Sequence, residues 1–332
     1  MINQKTLEDF IPQFPLELKG SIWGITTFFN PADYRNRYKN YLKFRKESLR
    51  QGLKLLVVEL VFNERSFELK TSDADILLQI RGHEENILWQ KEALLNLALA
   101  RLPKDCDKVV WVDCDILFKN ENWISETSLL LQKYKIVQPF SWLINLEDGQ
   151  DDVDPLKVPF GHGDGRQFYG MAYRVAECGH KVIEERYTHN GHVGFAWAAR
   201  RETLERIGFF DRTPCHNADT LMARMFYGSN ITIKTIPDKL ILDYEKWGET
   251  VLREVAGSVY YTPGFVFHLW HGKFTDRGYS NMFVNILKEF DFDPASDISK
   301  NADGIWEWST DKKLLRLKLK EYFYSRKEDV KL

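Results

Sequence analysis

Cysteine, long apolar runs and any surplus of one charge are what this 332-residue chain lacks. Its four cysteines, Cys106, Cys114, Cys178 and Cys215, form no CxxC pair and are too sparse for a disulfide scaffold, which argues against a stapled secreted domain and a zinc site. They read as free thiols of a reducing compartment. No apolar stretch approaches the roughly 18 residues that a membrane helix requires. The first ten residues lack the basic-then-apolar order of a signal peptide, so a cytoplasmic protein with no transmembrane segment is expected. With 46 basic and 48 acidic residues the net charge is -2, and nothing global draws the chain to nucleic acid.

What is there is a rich core: 44% hydrophobic and 14% aromatic residues are ample for a large globular unit. Ser21 to Pro31 reads as a strand running into a turn at Asn30-Pro31, and a helix follows over 33–50, closed by Gly52. Residues 53–62 form a continuous apolar strand, the mark of a parallel sheet covered on both faces. A shorter strand at 75–80 and a helix over 84–102, with Leu88, Leu95, Leu99 and Leu102 on one stripe and Pro103 at its end, lead to an apolar run at 108–118. The alternation predicts an α/β fold, a doubly wound sheet with right-handed crossovers.

Beyond it, a helix at 123–134 and a strand at 135–140 precede a polar, Gly- and Asp-rich loop over 145–169, read as substrate-facing and mobile. Strands are expected at 191–199, 231–236 and 261–272, and short helices at 200–207 and 220–226. An amphipathic helix is expected at 311–326, with Leu315, Leu319, Tyr322 and Phe323 on one face.

The run Val109-Val-Trp-Val-Asp-Cys-Asp-Ile-Leu-Phe118 is the centre of the functional reading. A buried strand meets two carboxylates, Asp113 and Asp115, which the two-residue period places on the same side. The carboxyl ends of strands in open α/β sheets are where ligands bind. Paired carboxylates there hold a hard divalent cation or share protons in acid/base work.

A strand-borne DxD after three βα units, followed by a second half ending in a His-bearing strand, resembles the GT-A fold of nucleotide-sugar glycosyltransferases. Gly194-Phe-Ala-Trp-Ala-Ala-Arg-Arg-Glu-Thr-Leu-Glu-Arg-Ile-Gly-Phe-Phe-Asp211 looks like the galactosyltransferase segment in which a G-x-x-x-A strand leads through a short helix to a G-F-F-D turn. Phe267-His-Leu-Trp-His-Gly-Lys273 resembles the late element that supplies a histidine to the metal.

The resemblance implies a GT-A domain over 20–275, with a nucleotide-binding half at 20–140 and an acceptor half at 141–275, and a helical extension over 276–332. It implies Mn2+ or Mg2+ held by Asp113, Asp115, His268 and His271, a nucleotide-sugar donor, and Asp219 as the base that activates a glycan or other hydroxyl acceptor. Donor contacts would come from Thr26, Thr27 and Phe28 at the end of the first strand, from Glu64 and Arg81, from Lys91 in Trp89-Gln-Lys-Glu92, and from Lys273. For the basic helix at 311–326 a solvated face is expected, with peripheral contact to a membrane-borne acceptor left open. Two other readings stand beside this one: a nucleotidyltransferase, although Thr26-Thr-Phe-Phe-Asn30 is no Gly-rich phosphate loop, and a non-catalytic sugar-binding protein.

Overall fold

The computed structural model describes residues 17–185, 187–229, 237–277 and 286–329; the strand expected at 231–236 lies outside them. The first half runs β1 (Ser21–Phe29), α1 (Arg35–Arg50), β2 (Lys54–Phe62), β3 (Ile76–Gly82), α2 (Lys91–Leu99), β4 (Cys106–Val112), β5 (Ile116–Phe118), α3 (Trp123–Lys133), β6 (Ile136–Gln138), β7 (Trp142–Asn145), β8 (Arg166–Tyr169) and α4 (Met171–Cys178). The second half holds α5 (Tyr187–Asn190), β9 (Ala196–Arg200), α6 (Arg201–Ile207), α7 (Ala218–Phe226), α8 (Asp238–Val255), β10 (Val259–Tyr261) and β11 (Phe265–His268). It closes with α9 (Leu287–Glu289), α10 (Pro294–Asp297), β12 (Ile298–Lys300), β13 (Trp306–Trp308) and α11 (Lys313–Ser325).

The main sheet has the order β10-β6-β9-β4-β1-β2-β3. Its β4-β1-β2-β3 half is parallel, whereas β9 runs antiparallel to both β4 and β6. The mixed α/β sheet flanked by helices is the architecture expected from the sequence. The period of two along β2 and β4 explains why both faces are dry. Leu56, Val58, Val109 and Trp111 enter one core cluster, while Leu55, Val57, Val110 and Val112 enter another on the opposite face.

A second sheet, β5-β11-β7-β8, stands beside the first. The strand ends at the two carboxylates, as expected, and the Ile116–Phe118 run beyond them belongs to this second sheet. β4 stops at Val112 in the main sheet, and β5 pairs antiparallel with β11 in the other sheet. The Asp113–Asp115 segment is the step between them. Its backbone is tied on both sides, the Asp113 N–H donating to the Phe195 carbonyl at 2.7 Å and the Leu269 N–H to the Asp115 carbonyl at 2.8 Å.

The differences from the sequence expectation share a physical root, since short elements buried by tertiary contact leave little periodicity in sequence. The polar loop expected at 145–169 contains β8, which pairs with β7, and exposed ion pairs join Lys119 to Asp152 and Lys43 to Asp151. The helix expected at 84–102 is a single 3-10 turn at 84–86 followed by α2. Between them the Trp89 N–H donates to the Pro214 carbonyl at 2.9 Å, outside any helical pattern, and the Gln90 side chain pairs with Trp306, donating to its carbonyl at 2.7 Å and accepting its N–H at 3.0 Å. The strand expected at 261–272 divides between β10 and β11.

α11 is where it was expected, and its apolar stripe points inward. Leu315, Leu319, Tyr322 and Phe323 are buried in the same cluster as Phe29 and Leu56, so this face is not available to a membrane. Among the described residues no helix is long and apolar enough to cross one. The Phe323 ring sits edge-on to Phe29 at 5.2 Å and stacks with Trp89 at 6.2 Å. Phe323→Ala is therefore expected to cost about 3–5 kcal/mol, the usual loss for deleting a buried aromatic ring; urea unfolding followed by circular dichroism checks it, and a midpoint unchanged from wild type would contradict the docking of α11 on the core.

Candidate functional site

The parallel strands β1 and β4 end side by side, and beyond their carboxyl ends lies a cavity of about 600 Å³ whose walls include Thr27, Phe28, Asp113, Asp115, Asp219, His268 and His271. Asp115, His268 and His271 form its most compact polar cluster. His268 closes β11 and His271 follows one turn later, and the backbone between them is anchored by α1: the amides of Asn36 and Asn40 donate to the Trp270 carbonyl at 2.7 and 2.9 Å. Gly272 lets the chain turn away, with φ of +92° and with the Arg326 carbonyl only 2.6 Å from where a Cβ would be.

The facing atoms of the cluster make a triangle. His268 Nε2 and His271 Nε2 are 3.0 Å apart, and Asp115 Oδ2 lies 3.8 Å from the first and 3.5 Å from the second. A circle through three such points has a radius of about 2.0 Å, the length of a bond from a first-row divalent ion to imidazole or carboxylate. Asp115 Oδ1 is buried with no hydrogen-bond partner, which is the state of an atom awaiting a ligand. The three side chains thus fit a divalent metal, and among the described residues they are the group able to hold one. Burial works against the Asp115 charge, yet the two histidines and Arg37 outweigh it and hold its carboxyl below the ordinary range.

Both imidazoles have an acceptor beside the other ring nitrogen. His268 Nδ1 lies 2.8 Å from Asn145 Oδ1, and His271 Nδ1 lies 3.5 Å from Glu328 Oε1. Glu328 has no exposed side-chain surface; its carboxylate is bound by Arg37 Nε at 2.5 Å and by Arg326 Nε at 2.5 Å. Burial would raise its carboxyl, but Arg37, Arg326 and His271 hold it well below the ordinary range.

Asp113 takes a different part. It is ion-paired with Lys91 at the start of α2 and is not one of the three clustered ligands. Burial raises its carboxyl, opposed by Lys91. Lys91 is kept charged: burial disfavours its ammonium, but Asp113, Glu92 and Asp219 outweigh burial and raise it above the ordinary lysine range. Next to it, burial pushes the Glu92 carboxyl up to about 7.

Asp219 sits in the first turn of α7, where its Oδ1 accepts the Thr220 N–H at 2.7 Å. Its Oδ2 is packed so closely against residue 194 that a Cβ there would lie 2.9 Å away, which is why a glycine stands at that position. The next residue, Phe195, holds a left-handed φ of 75° and places its ring 4.5 Å from that of His268. Strain of this kind in a non-glycine residue gathers at functional sites. Close by, burial lowers His192 to about 3 and His216 to about 4, so both rings are neutral.

Of the residues expected to meet a donor, Thr27, Phe28, Lys91 and Asp113 line the cavity. Thr26 does not: it is fully buried in β1, and its hydroxyl donates to the Val112 carbonyl at 2.6 Å. Glu64 borders a separate, smaller hollow with Arg65 and Glu84, which shares no lining residue with the cavity. Arg81 is spent on the carbonyls of Asn63 and Arg65. Lys273 is exposed just beyond the cavity rim, whereas its neighbour Phe274 lines the wall. The sequence reading lacked Arg37, Asn145, His192, His216, Arg326 and Glu328, and no local spacing marks them. Arg37 and Glu328 are 291 residues apart.

No family model matches the sequence, and no curated protein matches it. Solved structures overlap it in part. Glucosyl-3-phosphoglycerate synthase from Mycobacterium tuberculosis, in complex with Mn2+, uridine diphosphate and phosphoglyceric acid, is 12% identical with a TM-score of 0.39, over 79% of this chain and 74% of that one. The catalytic domain of Drosophila beta1,4galactosyltransferase 7 is 13% identical with a TM-score of 0.31, over 72% and 64%. S. aureus TarS is 12% identical with a TM-score of 0.34, over 62% of this chain and 33% of that one, so the chain spans about a third of its length. Overlap at this level assigns no activity; the chemistry of the site must carry that.

Proposed function

We propose that this protein is a GT-A-type, metal-dependent glycosyltransferase that moves a hexose-type sugar from a UDP-linked donor to a glycan or other hydroxyl acceptor with inversion. The observation that carries the reading is the triangle of Asp115, His268 and His271 on a large cavity at the carboxyl end of β4, with a second, separate carboxylate, Asp219, on the same cavity. One position for a cation and another for a proton is the division of labour that sugar transfer from a diphosphate requires.

Asp115, His268 and His271 would hold the metal. Two imidazoles beside one carboxylate suit Mn2+ better than Mg2+, which prefers an all-oxygen shell. When bound, the ion neutralises charge on the departing nucleoside diphosphate. Lys91, locked to Asp113, sets a fixed positive charge on the wall for the donor phosphates. Thr27 and Phe28 offer the end of β1 to the nucleoside.

Asp219 accepts the proton of the acceptor hydroxyl as that oxygen attacks the anomeric carbon. One of its oxygens is already bound by the Thr220 N–H, which fixes the carboxylate and leaves the other as the base. The neutral His192 and His216, with half-buried Trp89, line the cavity and form a wall suited to an uncharged polyol.

Thermal unfolding with nucleotide sugars tests the metal half. Wild type is expected to be stabilised by UDP-sugar only when Mn2+ is present, because a ligand of the folded state raises apparent stability by mass action. Asp115→Asn is expected to lose that shift, and retention of it would overturn the ligand assignment. For the proton half, Asp219→Asn should keep donor affinity while turnover falls by about 10² to 10⁴, the usual worth of general-base assistance. Turnover at the wild-type rate, or product NMR showing a retained anomeric configuration, would rule Asp219 out as the base.

A further inference from the structure

We infer that Glu328 is a positioning residue for the metal site: through its contact with His271 Nδ1 it fixes that imidazole so that Nε2 faces the cavity as a ligand. This rests on the metal reading given above and extends it to a part of the chain outside the expected 20–275 domain.

The geometry is specific. A neutral imidazole that ligates through Nε2 carries its proton on Nδ1, and a fixed acceptor there sets both the tautomer and the ring plane. His268 has such an acceptor in Asn145 Oδ1. Close to His271 Nδ1 lie Glu328 Oε1 and Arg326 Nη2, each at 3.5 Å. Nδ1 therefore donates to the carboxylate when it bears a proton and accepts from the guanidinium when it does not; ligation through Nε2 selects the first. A guanidinium only donates, and so has nothing to offer a nitrogen that bears a proton. The carboxylate is the partner that accepts it.

Glu328 is itself held so that it cannot turn away. Arg37 grips it through Nε and Nη2, at 2.5 and 2.8 Å, while Arg326 binds the same Oε1 that faces His271. The neighbouring backbone is fastened to the start of α1. The Asp329 carboxylate accepts the N–H groups of Arg35 and Asn36 at 3.2 and 2.9 Å, and the Lys327 N–H donates to the Tyr34 hydroxyl at 3.1 Å. A carboxylate without exposure, paired with two guanidiniums and aimed at a candidate ligand, is an expensive arrangement to bury for structure alone.

The test is Mn2+ affinity by titration calorimetry in wild type, Glu328→Gln, His271→Ala and the double variant, with the absorption spectrum of the Co2+-loaded proteins as a second readout. Glu328→Gln is expected to weaken Mn2+ binding about 10- to 100-fold, as loss of an outer-sphere partner does, and to alter the Co2+ ligand-field bands. In the His271→Ala background the same change is expected to have little effect, because the route through His271 is gone. Equal losses in both backgrounds, or no loss in the first, would overturn the inference while leaving the metal site standing. Absence of Mn2+ binding by wild type would overturn both it and the metal reading. Should circular dichroism show Glu328→Gln unfolded, Glu328→Asp replaces it, with a smaller loss expected and an affinity equal to wild type counting against the inference.

Discussion

The step of backbone from β4 to β5 is the constraint on which the site depends. Two sheets meet there, and the crossing is tied at both ends, by the Asp113 N–H to the Phe195 carbonyl just before β9 and by the Asp115 carbonyl to the Leu269 N–H just after β11. Each of Asp113 and Asp115 has a backbone group held in this way, which directs its side chain. The two are directed to different places. Asp113 is drawn to Lys91 and Asp115 to the two histidines. A tripeptide that reads in sequence as a pair of equivalent acids is in space a divider between two electrostatic environments.

Charge compensation explains why the surrounding elements are arranged as they are. Buried carboxylates demand partners, and each one here has drawn a distant element inward. Asp113 fixes the start of α2 through Lys91, and Glu328 draws α1 to the end of the chain through Arg37. Asp115 retains one buried oxygen with no partner. Among the described residues it is the one buried carboxylate oxygen without a hydrogen-bond partner, which sets the Asp115–His268–His271 cluster apart from an ordinary ion-pair network.

Much of this fold was legible because its central strands are long and dry on both faces. Nothing but a covered parallel sheet accounts for Leu55 to Phe62, and β1, β2 and β4 follow from such runs. The strands β7, β8 and β10, of three or four residues each, carry no period that separates them from loops; burial from outside makes them strands. The 18-residue α8 is different: Leu240, Tyr244, Val251 and Val255 do form a helical stripe, and it is the one long element absent from the expectation. At the site, Asp115, His268, His271 and Asp219 stood out because each lies next to a strand end or a turn. Thr26 looked equivalent to Thr27, but alternation along β1 sends its hydroxyl into the sheet. Arg326 and Glu328 were illegible for a deeper reason: their role exists only through tertiary contacts, Glu328 with Arg37 291 residues away and Arg326 with His271 55 residues away, and sequence carries no trace of those distances.

The fastening of Tyr322 to Asp329 against α1 gives the site an order of assembly. Arg37 is made 291 residues before Glu328, and Asn36 293 residues before Asp329, the residues that grip them. Until that late segment docks, the sheet can be complete while His271 lacks its carboxylate and the Arg37 guanidinium its counter-charge. Undocking of the same segment would reverse the sequence and open one wall of the cavity, which Tyr322 and Arg326 line. The 327–329 stretch is thus a clasp, which holds the start of α1 on one side and reaches His271 on the other.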